Sequence, residues 1–413
     1  MARRVAVTGL GVACAIGADI ESFWTNLIAG RGAIGQLQSL DTSALKVGIG
    51  AEVDAELVRA GLKRLRRRPT DRAVDLGLVA AADALEEAGL IDGAPPYEAQ
   101  PVAVILGTGA GSAESHTTGH ARFHERGVRG LRPSTVPRCM YNSISAGISI
   151  HFKLTGINYV VVSACTSATN AIGMACRMVR DGYADTVLCG GADGFFDPFY
   201  FGIWNNLGVM SKNPDPARAC RPFDADRDGT VFGEGAGMLV VESWERARGR
   251  GARIRGEVVG YGESSDASHL TSPSAEGQAV AMRDALASAG ARPDELGAVN
   301  AHGTATRAND ECESESIRAV LGDAVEAAPV SANKSYFGHT LGASGAIEAI
   351  AALLSIEYGV LPPNLNLENP DPECRVRLVG AEPEPLERPL VMKNSFGFGG
   401  SNGVLVLGPG NRG

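Results

Sequence analysis

The chain alternates between two hydrophobic periods. Compact apolar runs such as Val5-Ala6-Val7-Thr8-Gly9, Val104-Ile105-Leu106-Gly107-Thr108 and Tyr159-Val160-Val161-Val162-Ser163-Ala164 have strand character. Longer segments with helical spacing, such as Asp83-Ala84-Leu85-Glu86-Glu87-Ala88, lie between them. Strands alternating with amphipathic helices predict an α/β fold, with parallel sheets covered on both faces. Tyr159–Ala164 is expected to be a buried strand. The segment from Thr166 to Cys176 is small or apolar on nearly every side, which predicts a buried helix.

The pattern also repeats. Val7-Thr8-Gly9-Leu10-Gly11 is echoed by Val258-Val259-Gly260-Tyr261-Gly262, and Asp83-Ala84-Leu85 by Asp284-Ala285-Leu286. Val104–Thr108 is echoed by Val299–Thr304, and Val162-Ser163-Ala164-Cys165 by Val330-Ser331-Ala332-Asn333. Phe232–Gly237 is echoed by Phe396–Ser401. Five echoes in one order predict two pseudosymmetric halves, residues 1–253 and 254–413. The first half is longer in its middle, with an insertion at about 108–155.

Composition narrows the function. A 413-residue chain with 44% hydrophobic and 21% charged residues can bury a large core. Its formal net charge of −9 argues against nucleic acid as the main partner. No apolar run reaches the roughly 18 residues that span a bilayer, so no membrane association is expected. The N-terminus enters a strand-like pattern directly, which predicts a cytoplasmic protein. Eight cysteines without a C-x-x-C pair make a zinc site unexpected, and each is by default a small buried hydrophobe. His116, His120 and His124 share one helix face by spacing, which could suggest a metal, but a partly solvated helix is the better account. The dense basic run Lys63-Arg64-Leu65-Arg66-Arg67-Arg68 is either a solvated helix face or a docking patch for an acidic partner.

The chemistry concentrates at three junctions. Cys165 sits where a strand turns into a helix, and unpaired N–H groups there favour an anion, which is expected to lower the thiol pKa. His302 ends the run Leu296–Ala301, and His339 precedes the helical segment Gly342–Glu348. Asn333 is the expected counterpart of Cys165, so His339 enters the same helix in the second half that Cys165 enters in the first. Pseudosymmetry then brings one Cys and two His to a common centre, as a nucleophile with acid/base or electrostatic neighbours.

At these residues the chain resembles the β-ketoacyl-acyl-carrier-protein synthase family. It is similar to the elongating condensing enzymes of fatty-acid synthesis and to type II polyketide ketosynthase subunits. The matching motifs are Ser163-Ala164-Cys165-Thr166-Ser167, Arg221-Pro222-Phe223-Asp224, Asn300-Ala301-His302-Gly303-Thr304, Lys334-Ser335 with Gly338-His339, and Asn394-Ser395-Phe396-Gly397-Phe398-Gly399-Gly400. The resemblance covers nearly the whole length. It implies a thiolase fold, two βαβαβαββ halves in an αβαβα layered sandwich. It implies that Cys165 accepts an acyl chain, with the N–H groups of Cys165 and Phe398 as oxyanion hole. His302 and His339 would act on malonyl-carrier protein, with Lys334, Asp310 and Glu348 as a buried charged network beside them. Thr304, Thr306 and Phe396 would line the pantetheine path, and Phe398 would gate it. Ala110 would border the acyl pocket near a dimer interface. Lys63, Arg64, Arg66, Arg67, Arg68, Arg129, Arg132 and Lys212 would dock an acidic acyl carrier protein. No cofactor and no metal are implied, the substrates being carried on the carrier's phosphopantetheine. The assembly would be a homodimer, or a heterodimer with a chain-length-factor subunit.

Arg307, in Ala-Thr-Arg-x-Asn-Asp, resembles the polyketide subunits, whereas Ser-Phe-Gly-Phe-Gly-Gly-Ser-Asn is closer to the fatty-acid enzymes. The mixture suggests a ketosynthase of a reduced or polyene-like polyketide pathway, with housekeeping fatty-acid elongation as the alternative. A degradative thiolase is disfavoured, because the loop at Phe396–Gly400 carries no second cysteine. A non-catalytic partner subunit is disfavoured by the presence of Cys165.

Overall fold

The computed structural model describes residues 3–410. Its main sheet system has ten strands: β1 (Val5–Cys14), β2 (Ala103–Gly107), β3 (Asn158–Val161), β4 (Thr186–Asp193), β5 (Gly235–Ser243), β6 (Gly256–Ser265), β7 (Ala298–Asn300), β8 (Val330–Ser331), β9 (Val391–Gly397) and β10 (Ser401–Gly408). In space they run β8-β7-β9-β10-β6-β1-β5-β4-β2-β3. From either outer edge to the seam, each half therefore reads third, second, fourth, fifth, first strand. The halves join through β1 and β6, where Ala6 faces Glu257 and Val7 faces Gly256.

The sheets are mixed rather than purely parallel. β2 is parallel to β3 and β4, and β7 to β8 and β9, but β4, β5 and β1 pair antiparallel, as do β9, β10 and β6. The reason is visible at Phe398–Gly400. Three residues between β9 and β10 close a hairpin, whereas a parallel partner needs a crossover of a dozen or more.

Helices α1 (Arg72–Glu87), α2 (Ser167–Arg180), α3 (Ala275–Ala289), α4 (Arg307–Leu321) and α5 (Ser344–Tyr358) supply the other layers. α1 packs Ala80 and Ala84 on the outer face of the first half, against Val104 and Val240. α3 and α4 cover the second half, with Ala285 and Ile317 against Val299 and Val404. α2 and α5 fill the centre, where Ala168, Ile172, Ala346 and Ile350 share one core with Val187, Leu239 and Leu405. The result is an αβαβα sandwich.

The first echo has a steric cause. A Cβ on Gly9 would stand 2.0 Å from the carbonyl oxygen of Ala84, and one on Gly260 2.3 Å from that of Ala285. Both halves need a bare backbone where a helix lies flush on its first strand, and both helices supply alanine there. The fifth echo is two residues out of register, since Gly235 opens β5 and Ser401 opens β10.

Three expectations are corrected, and one holds. β3 is an edge strand, not a buried one: Tyr159 is 55% and Val162 52% exposed. Its apolar residues were legible, but its position at the sheet border was not. Leu341–Tyr358 is an 18-residue helical stretch of mean hydropathy 1.3, long and apolar enough to cross a membrane, yet 89% of it is buried in the fold. It is α5 and the turn before it, apolar because sheets flank it on both sides. The expectation that holds is the partly solvated helix: Ala113–Arg126 leaves His120 and His124 exposed and His116 half-buried. Finally, a short helix, Lys334–Phe337, is inserted after β8, so Asn333 is not the structural counterpart of Cys165. That place belongs to Gly342. Ala164–Thr166 and Leu341–Ala343 are matching 3₁₀ turns that lead into α2 and α5.

Candidate active site

Each of the two turns begins with a non-glycine residue in the left-handed region, Ala164 at φ 53° and Leu341 at φ 47°. Such a residue costs on the order of 1–2 kcal/mol, and here it bends the chain sharply between strand and helix. α2 and α5 then start almost in contact, for a Cβ on Gly345 would stand 2.2 Å from Oγ1 of Thr169. Asp193, fully buried at the end of β4, stitches the halves together. It accepts N–H bonds from Gly109 (2.8 Å), Ala110 (2.9 Å) and Gly342 (2.7 Å), and the Thr108 hydroxyl at 2.8 Å.

Cys165, His302 and His339 meet at this seam. Sγ of Cys165 is 3.1 Å from Nε2 of His339. One donor atom from each of the three residues fits within 4.8 Å of the others. The two imidazole centroids are 5.4 Å apart and their planes lie at 85°. The backbone N–H groups of Phe398 and of Cys165 itself favour the anionic form of the sulfur. Burial pushes the Cys165 thiol up to about 11; the Lys334 charge and those N–H groups oppose it but do not win. The expected lowering is therefore overturned, because desolvation of the thiolate outweighs the donors at the turn. The resting sulfur is a thiol whose proton faces an imidazole.

Burial, helped by Lys334 and Lys393, holds both histidines well below the ordinary imidazole range. Nδ1 of His339 lies 2.9 Å from Oγ of Ser344, which in turn is 3.0 Å from Oγ1 of Thr340. These hydroxyls can either accept from Nδ1–H or donate to a bare Nδ1, so they serve both tautomers. Lys334 directs its ammonium at the carbonyl oxygen (2.5 Å) and Nδ1 (3.3 Å) of His302, and pairs with Glu348 at 2.5 Å.

Asp310 does not belong to this network. It accepts the N–H of Phe223 at 2.9 Å and faces the buried Arg227 at 3.5 Å, where it holds the Arg-Pro-Phe-Asp segment in place. Glu313, one turn further along α4, does the work expected of Asp310 beside the histidines. It accepts the N–H of His302 (2.8 Å) and of Gly303 (2.9 Å), and the amide of Asn394 (3.1 Å). Sequence reading missed Glu313, Asp193 and Lys393. A carboxylate or lysine inside an otherwise apolar element was the only available signal, and Lys393 in Val391-Met392-Lys393 carried it.

The cleft above Cys165 has a volume of about 380 Å³. Thr304, Thr306, Phe396 and Phe398 line it together with His302 and His339. Ala305, at φ 63°, sets its two neighbours so that the Thr304 and Thr306 hydroxyls meet at 2.9 Å. Phe396 is buried, its ring 6.0 Å from that of His302. Phe398, on the tight hairpin, is 38% exposed and faces Trp204 at 6.1 Å. Trp204, on the helix Pro198–Leu207, was not singled out in the sequence. Ala110 is not among the lining residues of this cleft; its N–H is engaged by Asp193.

The basic residues are more varied than their run suggests. Arg64 is spent on Asp83 (2.5 Å) and Glu86 (3.2 Å), Arg66 donates to the carbonyl of Pro95, and Arg67 is half-buried. Lys63, Arg68, Arg129, Arg132 and Lys212 are exposed, and form no ion pair among the described residues.

Known proteins share this fold. Residues 2–247 match the family model for the β-ketoacyl synthase N-terminal domain, and residues 255–368 that for the C-terminal domain. The 3-oxoacyl-[acyl-carrier-protein] synthase 2 of Vibrio cholerae is 39% identical, over 98% of this chain and 99% of its own. The synthase of the same name from Synechocystis is 37% identical over 98% of both. Among solved structures, the ishigamide ketosynthase/chain length factor superposes with TM-score 0.91 at 34% identity, covering 99% of this chain and all of that one. A type II PKS ketosynthase, solved in complex with its acyl-carrier protein and bound to the hexaketide, gives 0.90 at 27% identity, covering 99% of this chain and 100% of that one. With two family models spanning most of its length and full-length relatives above one-third identity, the chain belongs to the β-ketoacyl synthase family, as an acyl-transferring condensing enzyme with the thiolase fold.

Proposed function

We propose that the protein catalyses decarboxylative condensation of an acyl thioester on Cys165 with malonyl-acyl-carrier protein. The observation that carries this is the 3.1 Å approach of the Cys165 sulfur to His339, whose imidazole burial keeps uncharged. In the first half-reaction the Cys165 proton passes to Nε2 of His339 while sulfur attacks the carrier-bound acyl carbonyl. The oxyanion rests on the N–H groups of Cys165 and Phe398. As the tetrahedral adduct collapses, the pantetheine sulfur leaves and takes the proton from His339.

In the second half-reaction the malonyl thioester carbonyl accepts from the Nε2–H of His302 and of His339. The bond to the carboxylate breaks, CO2 departs, and the electron pair forms an enolate held by those two donors. The enolate carbon attacks the acyl-Cys165 carbonyl, and the Cys165 sulfur leaves as a thiolate that takes up the one proton the reaction consumes, drawn from solvent by way of His339. Neutral imidazoles in a dry pocket provide such donors without a metal. Thr304 and Thr306 hold the pantetheine arm, and Phe398 gates it. The acidic carrier docks on Lys63, Arg68, Arg129, Arg132 and Lys212.

We assign the enzyme to a type II pathway that makes a reduced, polyene-like polyketide. The mixture of Arg307 in its Ala-Thr-Arg-x-Asn-Asp context with the fatty-acid-like Ser-Phe-Gly-Phe-Gly-Gly-Ser-Asn supports this, as does the likeness to a type II PKS ketosynthase. The competing reading, fatty-acid elongation, is favoured by the 39% identity to a 3-oxoacyl synthase 2. Intact-mass analysis of the protein and its carrier-bound products separates them. Acyl transfer to Cys165 followed by carbon–carbon bond formation is expected, with unsaturated chains preferred and a chain-length-factor subunit required. A homodimer that extends saturated chains unaided would defeat the pathway assignment. Absence of any acyl-Cys165 species would defeat the condensation itself.

A further inference from the structure

A second buried lysine stands behind the histidines. Lys393, on β9, has no solvent exposure. Its ammonium lies 2.9 Å from Oε2 of Glu348, while Lys334 holds Oε1 of the same carboxylate at 2.5 Å. Lys393 also bonds the hydroxyl of Ser395 and lies 3.4 Å from that of Thr169, one turn along α2 from Cys165. Among the described residues Glu348 Oε2 takes no hydrogen bond, so the ion pair with Lys393 is its compensation. The four buried charges nearest the histidines are thus Lys334, Lys393, Glu348 and Glu313, two of each sign.

We propose that Lys393 is a positioning residue of the condensation site, the internal counter-cation that fixes Glu348 so that Lys334 keeps its place on His302. The role rests on the reading of His302 and His339 as neutral donors. A lone Glu348–Lys334 pair has two carboxylate oxygens for one ammonium and is free to turn; with Lys393 each oxygen has its own partner. Charge acts in the same direction. The groups facing the two imidazoles are Lys334, Lys393 and Cys165, with Glu348 behind the lysines and Glu313 on the His302 backbone. Both lysines disfavour a protonated ring, and burial adds to this. Removing the Lys393 charge leaves the cluster with one surplus negative charge, which favours the imidazolium. An imidazolium has no lone pair to receive the Cys165 proton.

The test uses the full chain with Lys393→Met and the double variant Lys393→Met/Glu348→Gln, which restores neutrality. Histidine protonation is followed by NMR, and malonyl-carrier-protein decarboxylation is measured across pH. In Lys393→Met the histidine titrations and the acid limb of decarboxylation are expected to move up by about one pH unit, a tenfold change in protonation. The double variant is expected to bring both back towards wild type. If Lys393→Met does not fold, the double variant decides alone, since a purely structural lysine predicts that it fails as well. A folded single variant with unmoved titrations overturns the proposal, as does a double variant no closer to wild type than the single. The NMR readout needs no turnover. A protein that never decarboxylates malonyl-carrier protein but shows the histidine shift would sink the condensation reading and leave the charge role of Lys393 standing.

Discussion

The Lys334 ammonium lies 3.3 Å from Nδ1 of His302 and 2.5 Å from the carbonyl oxygen of the same residue. An ammonium has donors and no acceptor, so Nδ1 must offer its lone pair and the ring proton must sit on Nε2. His302 therefore presents an N–H to the cleft in its resting state. His339 has hydroxyls that suit either tautomer. The two rings are thus specialised, one as a fixed donor and the other as proton carrier for the sulfur.

His302→Ala should separate the half-reactions. Loss of one preorganised donor costs about 10²–10³ in rate, so malonyl decarboxylation should fall by that factor. Acyl transfer to Cys165 should stay within about threefold by the same argument, because His339 and the two N–H groups are untouched. Single-turnover assays of each step check this, and equal losses in both would refute it.

The pH dependence of Cys165 follows from its raised thiol. With a value near 11, the thiolate fraction rises about tenfold per pH unit across the neutral range. Iodoacetamide alkylation of Cys165, followed by peptide mapping, should climb steadily and show no plateau below about pH 10. A plateau near neutrality would mean that the donors at the turn outweigh desolvation after all.

Asp310 and Glu313 should fail differently. Asp310→Asn takes a countercharge from the fully buried Arg227 and should cost about 3 kcal/mol of stability, with activity per folded molecule unchanged. Glu313→Ala releases the His302 and Gly303 N–H groups, and should cut decarboxylation by at least about tenfold at unchanged Cys165 acylation. Denaturation curves paired with assays of both steps distinguish the two. Catalytic loss confined to the Asp310 variant would restore the original assignment.

Gly9→Ala and Gly260→Ala test the pseudosymmetry itself. Each methyl would collide with a helix backbone oxygen, at 2.0 Å and 2.3 Å respectively. Each should destabilise by about 2–3 kcal/mol, the usual range for overpacking, and the two losses should be similar. Urea unfolding measures both, and tolerance of either by less than about 0.5 kcal/mol, the level of an ordinary surface change, would contradict the close approach.

Trp204 closes the cleft against Phe398 at 6.1 Å and Phe232 at 4.8 Å. Trp204→Ala should widen the space and raise the relative rate for bulkier or stiffer acyl chains by at least about tenfold, the worth of one methylene of pocket. Competition between carrier-bound acyl substrates reads the ratio, and an unchanged ratio would place the discriminating wall elsewhere.

Much of this molecule was legible along the chain. Hydrophobic periodicity marked strands and helices, and the echoed glycines and alanines marked where they lie flush, because those constraints act between neighbours in a local pattern. Cys165, His302 and His339 stood out because each lies at a junction between a strand and a helix. Tertiary structure alone decided which buried charges meet. Asp310 and Glu313 sit one turn apart on α4, yet one faces Arg227 and the other the backbone of His302. Lys393 looked like an interruption in an apolar strand until β9 placed it on Glu348. The raised thiol of Cys165 likewise depends on how completely α2, α5 and the Phe398 hairpin exclude water. Desolvation and long-range pairing are set by what arrives from elsewhere in the chain, and a linear pattern carries no record of that.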